Sequence, residues 1–239
     1  MEQFSAYKQE AGVHVNEFVR SVYNWMCLGL GLTGLIAWYV SGNDAIRGLI
    51  INVETGSVTP LFWLIAIAEL GLVFSISGMV NRMSGSIATG LFLLYSALNG
   101  VTLSFIFLVY TRASIVSTFF ICALTFLACS IYGWTTKKDL TSLGSFMFMG
   151  LIGILIASVF NIFMRSPAVY YAVSYIGVVV FVGLTAYDTQ KIKNMALTQP
   201  AGLDGDVVRK GAILGALALY LDFINLFLML LRIFGGSRD

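Results

Sequence analysis

Seven stretches of about 20 apolar residues, each closed off by a charge or a turn residue, decide what this chain can become. They run about 23–41, 61–80, 87–110, 113–134, 143–164, 168–189 and 212–234. As helices, stretches of this length cross the hydrocarbon core of a bilayer. They show no strand-like alternation, which excludes a β-barrel. The charges needed to cover a water-soluble surface are also missing. Asp, Glu, Lys and Arg make up 11% of the 239 residues, where soluble domains carry roughly 25%. The reading is an all-α membrane protein. Its seven transmembrane helices occupy 23–234, after a polar N-terminal arm at 1–22 and before a tail at 235–239. The apolar composition points to the lipid bilayer as partner, and a net charge of only +2 suggests no nucleic acid.

The arm carries Glu2, Glu10 and Glu17 beside Lys8 and Arg20, too polar a composition for a signal peptide, so the first span is expected to be retained. His14, the only histidine, lies in this arm. Cys27, Cys122 and Cys129 fall in apolar stretches. The last two sit roughly 10 Å apart along one helix, too far for a disulfide, and read as small buried residues. No cofactor is implied. With the N-terminus inside, inner loops hold nine lysines and arginines against five outside or in the tail, which favours a cytoplasmic N-terminus. A re-entrant seventh segment would make the tally eleven against three, so charge alone leaves both topologies open.

Three acids fall inside spans: Glu69, Asp188 and Asp222. An intramembrane acid costs about 2.5–3.5 kcal/mol on insertion scales and is expected to have a partner or a task. Asp222 lies on a face formed by Gly211, Gly215, Ala218, Asp222, Asn225 and Met229, which recur at helical spacing. Small residues let helices approach closely, so the last helix is expected at the centre of the bundle. Asp188 stands at the inner end of the sixth span, and straight rods would leave the two aspartates about 10–15 Å apart in depth. Glu69 is mid-span, and Tyr95, Asn99 and Thr102 form a weakly polar stripe on the third span. If two carboxyls approach within about 4 Å in low dielectric, they share a proton, and deprotonation adds repulsion that pushes helices apart. Their oxygens also suit calcium. Arg82, at the inner end of the second span, is the basic residue best placed to lock such a pair.

Two runs carry a resemblance. One is Phe181-Val182-Gly183-Leu184-Thr185-Ala186-Tyr187-Asp188-Thr189-Gln190-Lys191-Ile192-Lys193. The other is Leu214-Gly215-Ala216-Leu217-Ala218-Leu219-Tyr220-Leu221-Asp222-Phe223-Ile224-Asn225-Leu226-Phe227. Together they closely resemble the signature of the transmembrane Bax inhibitor motif family, and the chain looks like its bacterial inner-membrane branch. Thr135-Thr136-Lys137-Lys138-Asp139-Leu140 also fits. The resemblance implies seven helices with the seventh wrapped by the other six. It implies a pH-sensitive calcium leak controlled by an aspartate pair, which maps onto Asp188 and Asp222, with calcium the ion passed. The family's latch arginine falls slightly off Arg82, and Glu69 matches an acidic position of some members. Some bacterial relatives associate with membrane proteases.

Other chemistries fit less well. An intramembrane aspartyl protease needs a Gly-x-Gly-Asp run, but Leu219-Tyr220-Leu221 precedes Asp222. A serine protease needs a histidine within the membrane. A retinal protein needs a lysine within a span. No enzyme activity is expected. The reading is a pH-sensitive calcium leak channel of the bacterial inner membrane, gated by Asp188 and Asp222, with Arg82, Glu69 and Asn225 auxiliary. The alternative is a non-transporting regulator that binds another membrane protein, such as a quality-control protease. A proton-coupled transporter is a further class, marked by saturable uptake.

Overall fold

The computed structural model describes residues 2–52, 57–198 and 203–236, with side chains from residue 15 onward. The side chains of Glu2, Lys8, Glu10 and His14, and all of Pro200, Gly202 and Arg238, therefore lie outside the described residues. Nine α-helices occupy the described residues: α1 (Glu2–Gly42), α2 (Asp44–Ile50), α3 (Pro60–Met79), α4 (Gly85–Leu103), α5 (Ile106–Val109), α6 (Arg112–Thr135), α7 (Thr141–Met164), α8 (Pro167–Thr198) and α9 (Gly205–Phe234). Seven are long and apolar enough to cross a membrane, and no strand is present among the described residues.

Local chemistry sets the helix ends. Ser84 Oγ accepts from Ile87 N at 3.3 Å to open α4, and Thr111 Oγ1 accepts from Ser114 N at 3.2 Å to open α6. Pro60 and Pro167 stand at the first positions of α3 and α8, where a missing N–H costs nothing. Between α7 and α8, Arg165 takes a left-handed turn (φ 49°), and Asn161 Oδ1 receives Ser166 N at 2.9 Å.

Three boundaries differ from the sequence expectation. Residue 22, the expected end of the arm, lies inside α1, because Val15, Phe18, Val22 and Met26 form a buried stripe at helical spacing. The sixth span does not stop at 189. Helix α8 continues to Thr198, since Ile192 and Ala196 extend the buried stripe of Thr185 and Thr189. Lys191 and Lys193 are thus helical rather than loop residues, and α9, starting at Gly205, likewise takes in Arg209 and Lys210. The third span is interrupted after Leu103, where Ser104 and Phe105 separate α4 from α5.

The helices form two compact units. The first holds α1–α5 and α9 up to Tyr220, and the second holds α6–α8 and α9 from Leu221. In the first, α4 packs on α1 and on α3. A Cβ at Gly100 would stand 2.6 Å from the Thr33 carbonyl oxygen, so only glycine permits this approach of α4 to α1. In the second, α8 packs on α6 and on α7. The Phe223 ring of α9 meets Phe119 and Phe126 of α6 at 5.5 and 5.4 Å, edge to face. Helix α9 is the most buried of the seven spans: 67% of its apolar window is buried, against 6% for α3 with its 3₁₀ turn and 11% for α7. The bare apolar faces, with Phe74 and Phe163 largely exposed, suit lipid rather than water.

Candidate functional site: the intramembrane carboxyls

In the second unit, α8 is fixed around Asp188 residue by residue. The Ala186 carbonyl lies against Gly133 of α6, where any Cβ would collide with it. The Tyr187 ring rests on Gly144 of α7. Thr189 Oγ1 donates to Ser130 Oγ at 3.4 Å. Gln190 bonds the α6–α7 turn twice: its Nε2 donates to the Lys138 carbonyl at 2.8 Å, and its Oε1 accepts from Leu140 N at 2.9 Å. Lys193 Nζ donates to the Trp134 carbonyl at 2.6 Å and lies over that ring. The Thr135–Leu140 run, read from the sequence only as a fitting motif, is thus the strap that holds α8 next to Asp188.

Asp188 itself is half-buried, and no hydrogen bond reaches its side chain among the described residues. The Lys191 charge, one turn on, acts on it. Asp222, on α9, is 5% exposed. Its Oδ2 is buried with no hydrogen-bond partner among the described residues, and the charge that acts on it is that of Asp188. Asp188 lies well inside the lengthened α8 rather than at its end, and its charge reaches Asp222 across the depth offset expected from straight rods. An orphaned carboxyl oxygen within reach of a second carboxyl's charge is a site of high electrostatic cost, and a proton or a cation there lowers that cost. Asn225 is turned away from this role: its Nδ2 donates to the Leu221 carbonyl at 2.8 Å, on its own helix.

The first unit holds the third acid. Glu69 on α3 accepts from Thr102 Oγ1 at 2.9 Å and from Asn99 Nδ2 at 3.4 Å, both on α4. Asn99 Oδ1 accepts from the Tyr220 hydroxyl at 3.1 Å, and that hydroxyl lies 2.6 Å from Thr33 Oγ1 of α1. The sequence stripe of Asn99 and Thr102 is therefore Glu69's own donor set. Thr33 and Tyr220 escaped the sequence reading; the available signal was that a tyrosine hydroxyl in an apolar helix needs a partner.

Arg82 is exposed on the 3₁₀ turn Val80–Arg82 and makes no ion pair or hydrogen bond among the described residues. Arg209 of the same unit, by contrast, is held by other helices. Its Nε donates to Thr89 Oγ1 at 3.0 Å, and its guanidinium lies over the Trp25 ring. One turn before it, Asp206 accepts from Gly85 N at 2.6 Å and pairs with Lys210 at 3.0 Å. An anion thereby meets the N-terminus of α4.

No group of three or more His, Cys, Asp or Glu residues could hold a metal among the described residues. Calcium takes six to eight oxygens when held, so two aspartates alone do not complete a resident calcium site. The three cysteines are free thiols.

Residues 15–239 match the family model described as inhibitor of apoptosis-promoting Bax1. The chain is 54% identical over 221 residues to the inner membrane protein YbhL of Escherichia coli K12, covering 92% of each chain. It is 47% identical over 225 residues to a protein of Borreliella burgdorferi, covering 94% of each. It is 38% identical over 230 residues to a membrane protein of Streptococcus pyogenes serotype M6, covering 95% of this chain and 96% of that one. With seven apolar spanning helices and this match over nearly its whole length, the chain is a multi-pass bacterial inner-membrane protein of the Bax inhibitor-like family.

Proposed function

We propose that this protein lets calcium leak down its gradient across the inner membrane, with its N-terminus in the cytoplasm, and that Asp188 and Asp222 form its proton-sensitive gate. One observation carries the reading: a buried Asp222 oxygen without a partner, in a carboxyl on which Asp188 acts. While the pair keeps a proton, its members do not repel, and α8 and α9 stay together in the second unit. Loss of that proton as pH rises adds Coulomb repulsion in low dielectric and loosens the contact. Calcium, carried rather than kept, meets the carboxylate oxygens in passing. The charge that biases the pair is that of Lys191 on α8. The reading assigns the chain no catalytic step.

The test is calcium entry into proteoliposomes loaded with a fluorescent indicator, wild type beside Asp188→Asn and Asp222→Asn. Either substitution should change the flux. Flux equal to that of empty liposomes, from protein shown to be folded, would instead favour a regulator that binds another membrane protein through its bare span faces.

A further inference from the structure

Glu69 sits mid-helix in α3, and its surroundings have a property the aspartate pair lacks. Three hydroxyls around it, those of Thr102, Tyr220 and Thr33, each have at least two acceptors in reach. Thr102 Oγ1 lies 2.9 Å from Glu69 Oε1 and 3.0 Å from the carbonyl of Asn99. The Tyr220 hydroxyl has Asn99 Oδ1 at 3.1 Å and Thr33 Oγ1 at 2.6 Å. Thr33 Oγ1 in turn has the carbonyls of Ser96 and Gly29 at 2.8 and 2.9 Å. A hydroxyl carries one proton and two lone pairs, and it rotates to suit its neighbours.

This allows two complete bonding patterns on one set of heavy atoms. With Glu69 ionised, Thr102 and Asn99 both donate to it. With Glu69 protonated, its own O–H donates to Thr102 Oγ1, and Thr102 turns its proton to the Asn99 carbonyl. Neither state strands a buried polar atom, so passing between them costs little reorganisation. Tyr220 and Thr33 keep the relay in order. By donating to Asn99 Oδ1, Tyr220 orients the amide so that its Nδ2 faces Glu69. Tyr220 is fully buried, and its ring meets Phe92 and Tyr95 edge to face at 5.8 and 5.5 Å, so it has little freedom to turn elsewhere.

We propose that Glu69 is a proton-binding site in its own right within the membrane, and that Tyr220, through the Asn99 amide, is the positioning residue that sets its proton affinity. The proton comes from water and returns to it, and no other reactant is needed. The titratable groups facing Glu69 are Tyr95 of α4 and Tyr220 of α9. Helix α1 contributes the neutral Thr33, and on α2, which also packs on α3, Asp44 and Arg47 pair with each other at 2.7 Å. No lysine or arginine charge acts on Glu69 among the described residues.

The proposal goes beyond the leak reading, and its test involves no calcium. Infrared difference spectra of the full chain in lipid, recorded across pH, would be compared between wild type and Glu69→Gln to isolate the protonated-carboxyl band of Glu69. That band should fade as pH rises and be missing in Glu69→Gln. In Tyr220→Phe the amide is released, and the band should persist to higher pH by about one unit, the weight of one charge-assisted hydrogen bond. Thr102→Val, which removes a direct donor, should do the same and serves if Tyr220→Phe does not fold by circular dichroism. A titrating carboxyl band unchanged by Glu69→Gln would overturn the site. An unshifted midpoint in folded Tyr220→Phe would overturn the role of Tyr220.

Discussion

Glu69 in the first unit and Asp222 in the second are both acids within apolar helices, yet their surroundings differ in kind. Both oxygens of Glu69 accept hydrogen bonds, and the donors are themselves held by Tyr220. One oxygen of Asp222 accepts nothing among the described residues, and the charge that acts on it is another carboxyl's. Buried polar groups in folded proteins are nearly always paired, so the exception marks a place where folding stability has been given up. A satisfied acid can change its proton without disturbing the helices. On the proposed reading an unsatisfied pair cannot, and this is why the gate is assigned to the aspartates.

The comparison can be broken from the frame inward. Gln190→Ala unpairs two backbone groups of the α6–α7 turn at once and should cost about 2–4 kcal/mol. Thermal unfolding in detergent would show this, together with a weakened pH response of calcium entry, because α8 is then no longer held around Asp188. Next comes the direct contrast between the two acids' surroundings. Tyr220→Phe strips the satisfied network of its link and should cost about 1–3 kcal/mol. Asp222→Asn removes a charge that had no partner and should leave stability within about 0.5 kcal/mol of wild type or raise it. Equal losses from the two substitutions would erase the distinction.

The smallest effect concerns an exposed acid between spans. Asp139 Oδ1 accepts from Thr141 N and Thr141 Oγ1 at 2.9 and 2.6 Å, at the start of α7. These bonds hold its carboxyl below the usual range. A depressed value means the stabilisation is present above the unfolded value and is lost as pH falls through the folded one. Asp139→Ala should therefore lower the unfolding temperature slightly at pH 5, and the gap from wild type should close below about pH 4.

The seven spans were legible because long apolar runs have few alternatives. Asp222 was legible because Gly215, Ala218 and Asn225 share its helix face. The length of α8 was not, because Lys191 and Lys193 look like loop charges, although Ile192 and Ala196 carry the buried stripe past them. The partner of Tyr220 could not be read at all. Thr33 is 187 residues away, and only tertiary packing brings the two hydroxyls together. Arg209 looked like one more positive-inside charge until α4 supplied Thr89 as its acceptor. No Gly or Pro marks the passage of α9 from the first unit to the second at Tyr220–Leu221, so the sequence offered no sign of that division.

The most direct test of the central claim is the pH profile of calcium entry into proteoliposomes from about pH 5 to 8, wild type against Asp222→Asn. The account expects wild-type entry to rise with pH and the Asn variant to lose that dependence while remaining folded. A wild-type flux that ignores pH, or a variant that keeps the wild-type profile, would contradict it.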